Sequence, residues 1–187
     1  MEHESIINAT RGWVSDVVIG LNLCPFARRE LVKERVRFEV TDACSEEALL
    51  VALEYELVYL NEHPEVETTL LVHPEVLRDF GNYNDFLVAA DGLLVYLELE
   101  GIYQIASFHP DYQFGGTSPD DAGNFTNRSP YPMLHVLRED SLEHAIAGYA
   151  CADLIPERNI ELMESLGADE MRRRLSRQTA ISPRGSG

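Results

Sequence analysis

The stretch "PMLHVLREDSLEHAI", Pro132 to Ile146, decides how the fold is read. Proline is favoured at the first position of a helix, so Pro132 reads as a helix start and Met133 to Ile146 as the helix. On that reading every strand lies upstream. Arg35 to Thr41 alternates apolar and polar residues, the pattern of a strand with one buried face. Thr68 to Val72 is a short continuous apolar run, the pattern of a strand covered on both faces and central in its sheet. Tyr103 to Phe108 is the third strand.

Helical periodicity fills the intervals. A first helix runs from about Ser5 to Gly20, and a short second one follows Pro25 with Cys24 as its cap. Ser45 opens a third helix carrying Leu49, Leu53, Leu57 and Leu60 on one stripe. Asn82 is expected to cap a fourth, which passes through Phe86, Ala90 and Leu94 and is closed by Gly101. Glu157 to Leu166 is the last periodic segment, ended by Gly167. Strands alternating with helices predict an α/β fold: a small, about three-stranded, mainly parallel sheet flanked by helices, with a long polar loop after the third strand and C-terminal helices. Residues 1–170 are expected to form one domain and 171–187 an Arg-rich, flexible tail.

Composition narrows the function classes. With 32 acidic against 15 basic residues the chain carries a net charge of -17, a field that repels phosphate backbones and anionic lipid headgroups. Nucleic acid and membrane are therefore not expected partners, and the absence of a long apolar run and of a secretory layout at the N-terminus makes a cytoplasmic location the expectation. Cys24, Cys44 and Cys151 are widely spaced and form no CxxC pair, which points to free thiols in place of a disulfide framework or zinc ribbon. No metal is expected, the cofactor is left unknown, and the oligomeric state is left open.

The chemistry is expected where two strands stop. "TTLLVHP" and "ASFHPDYQF" each end in His-Pro, and if their strands are parallel His73 and His109 leave the sheet at the same carboxyl edge, the place where open α/β folds bind ligands. The polar loop begins there too. Its aromatic residues Tyr112, Phe114, Phe125 and Tyr131 give it apolar anchors, as an ordered loop requires. Candidate catalytic residues are His109 with Asp111 as an acid-base pair, His73, and Cys24 as a nucleophile. Candidate binding residues are Arg128, Asn127, Asn124, Tyr112, Gln113 and His135. Arg128 either pairs with a neighbouring carboxylate or clamps an anionic substrate. The histidines either serve catalysis or satisfy backbone groups at strand ends, and Cys24 is either a helix-activated thiolate or a small buried hydrophobe.

"GLNLCPFA", "TTLLVHP", "ASFHPDYQF", "TNRSPYPMLH" and "IPERNIE" together resemble the bacterial domain-of-unknown-function family 1415. The resemblance runs from the first helix through Gly167. It implies a small soluble bacterial protein and supplies no catalytic assignment. Three functions follow as expectations: an enzyme of hydrolysis or group transfer acting on a small anionic metabolite, thiol chemistry at Cys24, or a non-catalytic binding protein that docks partners on the loop.

Overall fold

The computed structural model describes residues 2–180. Helix α1 spans Glu2–Trp13 and runs on into a π-helical turn, Val14–Ile19. Then come α2 (Ala27–Val32), β1 (Val36–Val40), α3 (Glu46–Glu62), β2 (Thr68–Val72), α4 (Phe80–Tyr96) and β3 (Tyr103–Phe108). After the polar loop, which contains one 3-10 turn at Ala122–Thr126, follow β4 (Met133–Arg138), α5 (Glu139–Ala147), α6 (Ile155–Leu166) and α7 (Ala168–Ala180).

The α/β class and the flanking helices agree with the sequence reading, whereas the sheet does not. It has four strands in the order β1-β2-β4-β3 and is mixed. β1 and β2 are parallel, while β4 lies antiparallel between β2 and β3. The error is in Met133 to Arg138, expected as the start of a helix. Its apolar run fits both periods: as a strand it sends Leu134 and Val136 to one face and Met133 and His135 to the other, and both faces are covered. Pro132 suits a strand entry as well as a helix start. The helix begins only at Glu139, with Glu139 and Asp140 in its first turn where the helix dipole favours acids.

One consequence of the expected parallel sheet survives this correction. β2 and β3 each run antiparallel to β4, so they point the same way without being neighbours, and His73 and His109 do leave at one edge.

Each face of the sheet has its own core. Leu49, Leu53, Leu57 and Leu60 of α3 and Phe86, Ala90 and Leu94 of α4 pack on Leu71, Leu134, Val136 and Tyr103. On the opposite face Trp13, Val17, Phe125, Met163 and Met171 meet Phe38, Val40, Leu70, Val72 and Met133. Ser45 caps α3 as expected, its Oγ accepting from the Ala48 N–H at 3.2 Å. The cap of α4 is Asp79 and not Asn82: the Asp79 carboxylate accepts the Asn82 N–H at 3.0 Å. Cys24 caps nothing, since α2 begins after Phe26.

The expected Arg-rich tail is, as far as Ala180, helix α7. Met171 is fully buried in the second core, and Gln178 reaches Asp16 with its amide at 2.9 Å. Ala168 and Leu175 pack partly buried against the same core, so an arginine-rich composition hid an apolar stripe. Residues 181–187 lie outside the described residues.

Candidate functional site

The carboxyl ends of β2 and β3 are held by two imidazoles and a phenol. The turn after β2 bends sharply, with Leu77 at a φ of 56°, and so presents two successive carbonyls inward. His73 Nδ1 lies 3.0 Å from Val76 O and His109 Nε2 lies 3.1 Å from Leu77 O. A carbonyl only accepts, so each of these nitrogens carries a proton. His109 Nδ1 in turn accepts the Asp111 N–H at 3.0 Å, which fills both ring nitrogens. His73 Nε2 is buried and has no partner among the described residues.

Tyr83 from α4 lies between the two rings, at centroid distances of 5.8 Å from His73 and 5.1 Å from His109. Its hydroxyl donates to Met133 O at 2.8 Å and accepts the Phe108 N–H at 3.0 Å, joining the end of β3 to the start of β4. Both histidines are wholly buried at 0% exposure. Burial disfavours the imidazolium, so the His73 pKa is pushed down to about 4. Burial also lowers that of His109, against the opposing pulls of the Leu77 carbonyl and the Asp111 charge. Asp111 meets the ring through its backbone amide, and its side chain is exposed.

The polar loop is ordered from within. Asn124 is fully buried: its Oδ1 accepts from the Phe114 N–H at 3.0 Å and the Thr117 hydroxyl at 2.9 Å, and its Nδ2 donates to Ser118 O at 2.8 Å. Gln113 Nε2 donates to Thr117 O, and Asn127 Nδ2 to Ser107 O at 3.1 Å. Arg128 is the loop's central pin. At 9% exposure it donates from Nε to Tyr112 O at 3.1 Å and from Nη2 to Pro119 O at 2.7 Å, with its guanidinium 4.5 Å above the Phe125 ring. Among the described residues no carboxylate pairs with it, so neither of the expected partners, a loop acid or a free cleft, is what the side chain meets. Burial lowers its pKa. Tyr112 packs between Phe80 and Phe114.

The remaining candidates lie apart. His135, in β4, is 2.7 Å from the Thr68 hydroxyl, which donates onward to Val136 O, so the imidazole Nε2 is the donor. Burial pushes its pKa down to about 4. Cys24 is half-buried in the turn before α2, and no hydrogen bond joins it to a histidine among the described residues. No group of three or more His, Cys, Asp or Glu side chains is placed to hold a metal ion among the described residues.

A groove of about 650 Å³ opens at this edge. Its walls are the first turn of α1 (Glu2, Ser5, Ile6), the two His-Pro turns (Pro74, Glu75, Arg78, Pro110) and the end of the loop (Pro130, Tyr131, Pro132). None of the ten expected site residues lines it. The residues that do were missed because prolines and a surface arginine carry no chemical motif. The available signal was positional: His73 and His109 are each followed by a proline, and "SPYP" closes the loop.

The model of a protein family matches residues 5–173, most of the chain. The chain belongs to the protein family of unknown function DUF1415. The quoted segments "TTLLVHP", "ASFHPDYQF" and "TNRSPYPMLH" all fall within the match and build this edge of the sheet. No curated protein and no solved structure matches the chain. Among the described residues no helix is long and apolar enough to cross a membrane.

Proposed function

We propose that this protein binds a small ligand in the groove over the two His-Pro turns, and that the polar loop is the rigid wall of that groove. The observation that carries the reading is where the groove sits: at the carboxyl ends of two strands that point the same way, with a volume in the range of small-molecule sites. Ile6, Tyr131 and the prolines suit an apolar body. Among the described residues Arg78 is the one cation of the lining; it is exposed, with Nε on Pro74 O at 2.8 Å and Nη2 on Glu75 at 3.0 Å. It suits a single carboxylate or phosphate on that body. The small anionic ligand expected from the sequence is thus kept, and its counter-charge moves from Arg128 to Arg78.

The test is a thermal-shift and NMR titration with aromatic carboxylates such as benzoate and phenylacetate. Binding should perturb the amides of Glu75, Arg78 and Tyr131, and Arg78→Ala and Tyr131→Ala should remove the thermal upshift. Shifts confined to other surfaces, or an upshift untouched in both variants, overturn the reading.

Enzymatic action has one observation in its favour. His73 Nε2 is an unprotonated nitrogen with no partner among the described residues, and Pro74, the next residue, lines the groove. If ligand entry uncovers it, His73 becomes a general base. His73→Gln should then abolish turnover of a bound substrate while leaving the titration above unchanged.

A further inference from the structure

We infer that the open edge of β1 is a self-association surface, on which a second copy of this chain pairs its own β1 antiparallel about a twofold axis at Phe38. β1 is an edge strand with β2 on one side and, among the described residues, no strand on the other. The Thr68 N–H donates to Arg35 O and the Thr41 N–H to Val72 O, which turns the backbone groups of the odd-numbered residues toward β2. By alternation those of Val36, Phe38 and Val40 point outward.

An edge of this kind templates another strand unless its side chains forbid it. Here they favour one register over its two neighbours. With the even residues paired, a twofold axis at Phe38 sets Val36 opposite Val40 of the second copy and Phe38 opposite itself. On the α3 side it sets Arg37 opposite Glu39, twice. A slip by two residues in one direction places Arg37 on Arg37, and in the other Glu39 on Glu39. Like charges directly opposite are destabilising, so the charge pattern selects the central register. Within one chain Arg37 bonds Glu39 at 2.7 Å and Glu56 at 2.8 Å, and the Glu39 carboxylate stays partly exposed to meet a second guanidinium.

The neighbouring helix fits the same operator. Beside the edge runs an open trough lined in part by Val40, Ala43, Ala48, Val51 and Tyr55. Val51, Tyr55 and Val58 follow helical spacing on α3 and are 66%, 64% and 46% exposed. A twofold axis perpendicular to the sheet keeps both α3 helices on one face, so the two stripes meet each other across the joint, as an isologous interface requires. The net charge of -17 on each copy opposes association, so the pairing should strengthen with salt.

Sedimentation equilibrium and light scattering on the full chain, at tens of micromolar and in about 0.15 M salt, test this. The wild type should be a dimer, tighter as salt rises. Three variants should each weaken self-association about tenfold or more with circular dichroism unchanged. The paired change Val51→Lys with Tyr55→Lys removes the stripe, Glu39→Lys sets cations opposite each other, and Val36→Pro removes an outward N–H without touching the β2 ladder. If Val36→Pro does not fold, the other two decide. A wild type that stays monomeric across the range, or a dimer indifferent to the folded variants, overturns the inference.

Discussion

Replacing Arg128 with alanine is the sharpest test of what the polar loop is made of. The side chain is nearly buried, donates two charge-assisted hydrogen bonds to Tyr112 O and Pro119 O, and stacks on Phe125. Two such bonds at about 1.5 kcal/mol each and a cation-π contact of about 1 kcal/mol add to about 4 kcal/mol. With a urea slope of about 2 kcal/mol/M, that loss moves the denaturation midpoint down by about 2 M. Arg128→Lys keeps the charge but cannot reach both carbonyls in one plane, and should recover no more than about 1 kcal/mol. Urea titration followed by circular dichroism reads the global loss. Hydrogen exchange at the Phe114 and Asn124 amides shows whether the loop opens before the sheet. A loss under about 1 kcal/mol, with those amides still protected, would show that the loop holds its shape without the arginine and that the side chain is free to serve a ligand.

Two further outcomes follow from burial. Unfolded histidines take their proton near pH 6.5, whereas His73 and His135 do so near 4, so the stability they contribute is complete above about 6.5 and drains as the pH falls toward 4. At pH 5 each costs about 2 kcal/mol; His135→Gln, which keeps a donor to the Thr68 hydroxyl, should flatten the dependence by that amount in denaturant melts at pH 7 and pH 5, and an unchanged slope refutes it. Cys44 and Cys151 are exposed and Cys24 half-buried, so limited iodoacetamide labelling read by mass spectrometry should modify Cys24 last, and early modification of Cys24 would return weight to thiol chemistry there.

What could be read from the sequence was what local periodicity writes. The alternation of Arg35 to Thr41, the leucine stripe of α3 and the Ser45 cap all depend on neighbours a few residues away, and all appear where expected. β4 depends on partners far along the chain. Its residues are apolar enough to be helix or strand, and only the vacancy between β2 and β3 settles the matter. α7 was lost for a related reason: one buried methionine and one glutamine dock it, and arginines outnumber both. At the candidate site, the meeting of the two histidines at one edge was legible because strand direction alone implies it. The state of their nitrogens was not, since it rests on the Val76 and Leu77 carbonyls turned inward by a left-handed residue. Arg128 is the one base between Arg78 and Arg138, but a sequence does not show that backbone carbonyls can satisfy it.

The insertion of β4 between β2 and β3 also sets an order of events during synthesis. As the chain leaves the ribosome, β1 and β2 can pair early, across a single helical connection. β3 emerges next before its sheet partner β4, which is still some 25 residues from being made. Until Met133 to Arg138 arrives, the nascent sheet has an exposed side at β2 and a third strand waiting beyond it. The polar loop is what the ribosome makes during that wait. A loop that folds on its own internal hydrogen bonds, pinned by Arg128 and Asn124, would deliver the last strand to the gap already aimed.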